Sequence, residues 1–579
     1  MMLPNKYITF LLYPAFIFCL SLIILSCSST KPQLKKEGSF QYDDDNKNID
    51  EPEFNDPNLK WNATDRTAFT QINEAFDLER NLRNLIGNPE QAYNINSFDE
   101  VPDCSWFTNR HGLKRMTPEE MIKGRDLNPG PDTSGNWTVF RPKVGGATPG
   151  FWIEDIHGRR FIIKFDPKGY PELATGAAAV GSRFFHAAGY NVPQETIVIW
   201  KPDKLVIKEG TTYRDKHSNK VPFTREVLNN ILDSVEKDNS GYIRSLASFS
   251  LENVKGPFSY SGTRKDDPND WCPHEFRREL RGLYVIASFV NHYDTKDLNS
   301  LDAFEEENGR KFLKHYLIDF GSCFGADGDS PKPPKKGYTN IVDIKDMVYS
   351  FFTLGLVVKP WEKAKPIQYS SIGYFESELF EPNNFDPIIP NPAFERMSDR
   401  DAYWGAKIVM AFRDHDLETL IQTGQYSNPD AAEYLLKTLI ERRDKIGRYW
   451  FNKINPLDYF NTESTRDNLI ITFDDLAVKY NIEKAENSKY TCSVKYKGKT
   501  LIKNRDMDNT KLIFSSTDLK ILTAAFQSPE SPEMTDNFVY KIELKTKRVG
   551  SNWSKPTNVW LWYNQIEESF KLVGVEHLD

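Results

Sequence analysis

Residues 291–325, "NHYDTKDLNSLDAFEEENGRKFLKHYLIDFGSCFG", hold two acidic landmarks: Asp294-Thr-Lys296-Asp-Leu-Asn299, and then Asp319-Phe-Gly321. A carboxylate, a lysine and an amide on one short stretch, followed by a second carboxylate, are groups that handle phosphates. Phosphoryl transfer from a nucleotide asks for something to cover the phosphates, a cation to grip them and carboxylates to hold Mg²⁺. One carboxylate must also orient or deprotonate the acceptor hydroxyl. Mg²⁺ is a hard cation that takes oxygen ligands, usually one or two carboxylates together with the phosphates.

The remaining parts lie upstream in the order this chemistry needs. Gly145, Gly146 and Gly150 sit in a turn between two strand-like runs, where backbone amides could approach phosphates; a flexible hairpin loop would look the same. Lys164 ends "RFIIK", a strand whose alternate residues would be buried. A lysine there expects an anion, unless it is an edge residue in water. Glu172, eight residues on, could pair with Lys164 from a helix, or could simply sit in the first helical turn and favour the helix dipole.

These groups need elements to place them. From Trp137 the pattern becomes strand-like, with hairpins "GFWIED"/"RRFIIKF", then the helix "PELATGAAAVGSRFFHAAG", then short strands in "ETIVIW", "KLVIK" and "YIRSLASFSL". The reading for 137–260 is a small antiparallel sheet with one inserted helix. In "HEFRRELRGLYVIASFVNH", Phe276, Leu280, Leu283, Ala287 and Val290 recur at helical spacing and predict one apolar face. Asp294 follows that helix, and Asp319 ends the apolar strand "HYLID". Residues 341–455 read as largely helical.

With Asp294-x-Lys296-x-x-Asn299, Asp319-Phe-Gly and the preceding strand lysine in this order, residues 137–330 resemble the protein-kinase-like superfamily, with 341–455 completing its helical lobe. The style resembles atypical bacterial branches such as HipA-type and CotH-like kinases; in the HipA type, too, a Glu opens a helix ending in a segment like "GYNVPQ". The resemblance implies ATP and Mg²⁺ as cofactors. It makes Asp294 the catalytic base with Lys296 beside it for the γ-phosphate, Lys164 and the glycines phosphate-binding with Glu172 as partner of Lys164, and Asn299 and Asp319 the metal ligands. Two features depart from it. His292-Tyr293 stands where His-Arg is usual before the catalytic Asp, and no Ala-Pro-Glu follows Asp-Phe-Gly, so regulation by activation-loop phosphorylation is not expected.

Other groups are weaker. His292, His315 and Asp414-His415 match no metal-ligand spacing. The charge-dense 262–282, "GTRKDDPNDWCPHEFRRELRG", reads as a buried ion-pair network between lobes rather than as an acceptor site. A net charge of −8 leaves no basic footprint for nucleic acid. The 39% hydrophobic and 13% aromatic content is ample for packed globular domains in 579 residues.

The start of the chain bears on its compartment. An apolar run from Ile8 to Leu25 is followed by Ile24-Leu25-Ser26-Cys27, which resembles the lipobox of bacterial lipoproteins. That resemblance implies removal of 1–26, lipid on Cys27 and a protein anchored in the cell envelope, with the outer membrane suggested by Ser28. An uncleaved anchor or ordinary signal peptide is the plainer reading. Cys104, Cys272, Cys323 and Cys492 are widely spaced and form no Cys-x-x-Cys pair.

The expected architecture is therefore α+β. Residues 27–60 are a disordered tether and 61–136 an N-terminal extension. A sheet lobe over 137–270 and a helical lobe over 271–460 make a bilobal kinase-like unit, and 466–579 form a C-terminal β-sandwich-like domain. The expected function is an envelope-anchored phosphotransferase moving the γ-phosphate of ATP to a protein, glycan or small-molecule acceptor. Nucleotidyl transfer uses the same parts, and a non-catalytic scaffold is the third possibility.

Overall fold

A computed structural model describes residues 45, 47–56, 64–125, 130–143, 150–214, 219–524 and 539–579. The apolar leader, Cys27, Gly145 and Gly146 lie outside the described residues, and so does most of the expected tether. Among the described residues, no helix is long and apolar enough to cross a membrane.

Strands β1 (Trp137–Lys143), β2 (Gly150–Glu154) and β3 (Arg160–Phe165) form an antiparallel meander. The β2–β3 turn is fixed by Asp155, whose Oδ1 accepts from the amides of His157 and Arg159, both at 3.0 Å. Helix α1 (Leu173–Ala188) follows at once. Its N-terminal amides are satisfied from the end of β3: Asp166 Oδ1 accepts from Ala174 N and Thr175 N, each at 2.8 Å.

Next come β4 (Glu195–Trp200), β5 (Leu205–Ile207), the hairpin β6 (Thr212–Arg214) and β7 (Lys220–Pro222), helix α2 (Arg225–Asp233) and β8 (Ile243–Phe249). The main sheet runs β4-β8-β3-β2-β1-β5. It departs from the expected form in two ways. Strand β5 pairs parallel to β1, and a second helix, α2, is present. The helix follows from the sheet having two apolar faces. Alternation along β3 sends Phe161, Ile163 and Phe165 into a cluster with Trp137, Trp200 and Leu228 of α2. On the opposite face Ala178 and Ala179 of α1 meet Ile197 and Leu246. Lys164 belongs to this second face.

Helix α3 (Arg278–Val290) is buried on all sides, not on one face as its spacing predicts. It packs on α5 (Asp399–Ala411) so closely that a Cβ on Gly405 would lie 2.6 Å from Gly282 O. Phe276 belongs to the short turn His274–Phe276 before the helix. The hairpin β9 (Ser300–Glu307) and β10 (Arg310–Leu317) follows, and helices α4 (Ile344–Phe352), α6 (Asp414–Gln422) and α7 (Pro429–Lys453) complete this part. Between residues 353 and 391 the chain is mainly irregular, a segment the sequence reading had as largely helical.

The last part starts at Leu457. Strands β11 (Leu457–Ser464), β12 (Leu469–Asp475) and β15 (Lys511–Phe514) form one sheet. Strands β13 (Ser488–Tyr496), β14 (Lys499–Met507), β16 (Val539–Arg548), β17 (Thr557–Asn564) and β18 (Ser569–Glu576) form another, ordered β14-β13-β16-β17-β18. Ile471, Phe514, Val494, Ile542 and Leu561, drawn from both sheets, share one apolar cluster. The chain then returns to the irregular segment before β1: His577 Nδ1 lies 2.9 Å from Asp99 Oδ2, and Gln91 Nε2 donates to Asp579 Oδ2 at 2.6 Å.

Within 262–282, Asp267, Asp270, Arg277, Arg278, Glu279 and Arg281 are buried, whereas Lys265 and Asp266 are exposed. The buried arginines of α3 join that helix to α5 and to the segment around Asp99, and Arg264 pairs with Asp302 of the β9 hairpin at 3.0 Å. Arg278 reaches Asp99 at 2.5 Å and Asp401 at 3.0 Å, Arg281 reaches Asp401 at 3.1 Å, and Arg277 reaches Asp270 at 3.1 Å.

Candidate active site

Lys164 is the penultimate residue of β3, and its ammonium meets Asp319 Oδ1 at 3.0 Å. The lysine side chain is only 15% exposed and the aspartate 43%, so the cation lies beneath and the carboxylate opens to solvent. Lys164 holds the Asp319 carboxyl down to about 2. In return, Asp319 and then Glu195 raise the Lys164 ammonium, although burial pulls the other way.

Gly150 stands opposite Lys164 in the sheet. A Cβ there would lie 2.3 Å from Ile163 O and 3.5 Å from Lys143 Cδ, so only glycine lets the strands close here. Lys143, at the end of β1, is lowered by burial and by Lys164, with Asp319 acting against them. It is a second cation at this end of the sheet that the sequence reading did not single out.

Asp319 follows β10 in a left-handed conformation, φ +65°. Its neighbour holds it there. Phe320 is fully buried and stacks on Phe185 of α1 at 4.8 Å, with the His292 ring 5.6 Å away. Gly181 of α1 lets Phe320 in, since a Cβ at 181 would lie 2.9 Å from Phe320 Cβ. His292 Nδ1 lies 2.9 Å from Ser322 Oγ, and burial, with Lys332 nearby, lowers its ring to about 3. His292 is therefore a neutral packing group at ordinary pH.

The Asp294–Asn299 loop is closed by its own polar groups. Lys296 Nζ lies 2.8 Å from Asp294 Oδ1. Asn299 Nδ2 donates to Asp294 Oδ2 and to Asp294 O, both at 2.8 Å. The amide nitrogen thus faces Asp294, and the amide oxygen points away from it. Ile318 N donates to Asn299 O at 3.0 Å, which ties this loop to the residue before Asp319. Lys332, buried and lowered to about 7 by desolvation, donates to Asn291 O at 2.5 Å and Ser322 O at 2.8 Å. It fastens both loops from behind.

Glu172 is not the partner of Lys164. It takes φ +68° at the start of α1, and its Oε2 accepts from Ser427 N at 3.0 Å. The second acid acting on Lys164 is Glu195, the first residue of β4 and fully buried. The sequence offered a hint, because Glu195 follows "GYNVPQ" at the start of an apolar strand where an acid is out of place.

Burial raises Glu195 to about 7, against the pull of Lys164. A carboxyl raised on folding contributes stability that is complete below its unfolded value of 4.5 and lost as pH rises through 7. Glu195→Gln should therefore shrink the fall in melting temperature between pH 4.5 and 7.5. An identical slope in both proteins would contradict the assignment.

Among the described residues, no three His, Cys, Asp or Glu side chains gather as a metal cluster, and the four described cysteines are free. One open carboxylate and one amide oxygen suit a cation that draws its other ligands from phosphates and water.

No protein-family model matches the chain, and no curated protein does. Among solved structures it is similar to the Helicobacter pylori proinflammatory kinase CtkA, at 12% identity over 55% of this chain and 96% of that one, with a TM-score of 0.29. It is similar to the Golgi casein kinase at 9% identity over 71% and 95%, TM-score 0.28. The same kinase with Mn/ADP bound gives 13% over 66% and 94%, TM-score 0.22.

Proposed function

We propose that this chain is a metal- and nucleotide-dependent phosphotransferase of protein-kinase-like fold, moving the γ-phosphate of ATP to a hydroxyl acceptor. The observation that supports this most is the Lys164–Asp319 pair at 3.0 Å, with the Asp294–Asn299 loop tied to it through Ile318. A lysine on the third strand of the sheet, with a helix directly after it, is where a kinase places its phosphate-binding lysine.

In this reading Asp319 and the Asn299 amide oxygen would hold Mg²⁺, which neutralises charge on the phosphates when bound. Lys164 and Lys143 bind phosphate oxygens from the sheet side. Gly150 lets β2 close on β3 beside Lys164. Asp294 orients the acceptor hydroxyl and takes its proton, and Lys296, 2.8 Å from its Oδ1, fixes where that carboxylate points. The acceptor is a protein, glycan or small molecule. The apolar run ending at Ile24-Leu25-Ser26-Cys27 supports a lipid anchor on Cys27 and work at the cell envelope.

Lys164 provides the test. Its charge is nearly enclosed, and an enclosed cation without an anion is costly. Lys164→Met keeps most of the stem, and the variant should fold. A thermal melt with and without Mg-ATP should show a shift in the wild type and none in the variant. A full nucleotide shift in Lys164→Met would remove this lysine from the site.

A further inference from the structure

The rim of the Asp294 loop carries exposed apolar side chains in two stretches far apart in sequence. In α4 and just after it, Phe351, Phe352, Leu354 and Leu356 are each more than 70% exposed. The helix Leu78–Leu85 has no buried residue, and Leu78 and Leu85, with Phe76 before it, are as bare. Scattered apolar residues on a surface mean little, but seven large, bare apolar side chains in two short stretches point to an interaction site.

The segments leading into both stretches connect to the same loop. Ile388 N donates to Tyr293 O at 2.8 Å and Ile341 N donates to Ile388 O at 2.8 Å, which brings the chain leading into α4 beside Asp294. Gln71 Nε2 then donates to Val342 O at 2.7 Å, and Ile344 N donates to Gln71 Oε1 at 3.1 Å, joining the segments that lead into the two stretches. From the N-terminal stretch Arg66 reaches Asp297 of the loop at 3.4 Å.

We propose that this apolar rim seats on a lipid bilayer and turns the Asp294 loop towards acceptors carried at the membrane surface. The inference rests on the phosphotransferase reading and adds where its acceptor is met. Two observations favour a bilayer as the occupant. Trp361 and the exposed Lys363 follow the apolar stretch, the aromatic and cationic flank of a segment that lies in a membrane interface. Among the described residues, Asp45, eighteen residues after Cys27, is fastened to the body: Ser105 Oγ donates to its Oδ1 at 2.7 Å. A chain of that length spans at most about 60 Å, so a lipid on Cys27 would hold the rim within reach of the bilayer.

The full chain can be reconstituted into phosphatidylethanolamine–phosphatidylglycerol vesicles doped with a phospholipid bearing a diazirine in its acyl chain. After illumination and proteolysis, lipid adducts should map to peptides covering 344–358 and 71–86, in addition to the leader or Cys27 peptide. Phe351→Asp with Phe352→Asp and Leu354→Asp should cut adducts in 344–358 by about tenfold or more, because charge is excluded from hydrocarbon, while the N-terminal adducts persist as an internal control. All three positions are exposed, and a retained Mg-ATP melt shift would confirm that the variant is folded. Adducts confined to the N-terminal peptide, or adducts unchanged in the variant, would overturn the proposal. So would a rim covered by a second copy, seen as a concentration-dependent dimer without adducts. In each case a preserved nucleotide shift would leave the phosphotransferase reading standing.

Discussion

Asp319→Ala is expected to abolish metal-dependent nucleotide binding, whereas Asp294→Ala should leave binding nearly intact and remove transfer. The two carboxylates are bound differently. Asp319 is 43% exposed, faces the buried Lys164 and is ionised down to about pH 2, as a metal ligand must be. Asp294 is held by Lys296 and Asn299 on the loop after α3. Losing a metal ligand removes several kcal/mol of charge neutralisation, about three orders of magnitude in affinity or rate. Losing a general base costs about 10²–10⁴-fold in rate with little effect on nucleotide affinity. Titration of Mg-ATP against both variants, followed by rate measurement, separates them. Equal loss of binding in both, or in neither, would overturn the assignment of roles.

The largest effect on stability should come from Asp401→Ala. Asp401 is fully buried on α5 and accepts from Arg278 at 3.0 Å and Arg281 at 3.1 Å. Arg278 also holds Asp99, which holds Arg400 at 2.8 Å and His577 at 2.9 Å. Removing Asp401 leaves two guanidinium groups enclosed with one partner too few. Breaking a buried pair from one side costs about 3–5 kcal/mol, a large share of the roughly 5–15 kcal/mol that holds a domain. The variant should lose soluble yield and unfold at much lower denaturant. Glu79→Ala, which removes an exposed partner of Arg83, should change stability by no more than about 1 kcal/mol. Comparable denaturation midpoints for the two variants would contradict this account of the core.

What was legible in the sequence was local. The strands around Lys164, helix α1, the strand before Asp319 and the helix before Asp294 all carry their own periodicity and turn residues. The loops bearing Asp294, Asn299 and Asp319 could be placed because each directly follows such an element. What was not legible depends on partners distant in sequence. Glu195 is 31 residues from Lys164 and acts on it only because β4 and β3 flank β8 in the sheet. The eight-residue spacing to Glu172 drew attention to the wrong acid, because the β3–α1 connection turns Glu172 towards Ser427. Lys332 looks like one more charge in "SPKPPKKGY", and only the fold shows that it closes two loops from inside. Helix α3 has the spacing of an amphipathic helix, but the polar residues on its other face are the arginines of the buried network. No one-dimensional pattern distinguishes a buried arginine from a solvated one.

The most direct test of the central claim is label transfer by the full chain with Mg²⁺, using ATP labelled in the γ- or the α-phosphate. The γ-label should reach a protein, glycan or small-molecule acceptor in the preparation, the α-label should not, and Asp294→Ala and Asp319→Ala should both abolish the signal. Transfer of α-label would make the chain a nucleotidyltransferase built on the same groups. Absence of both transfer and Mg-dependent nucleotide binding would contradict the catalytic reading altogether.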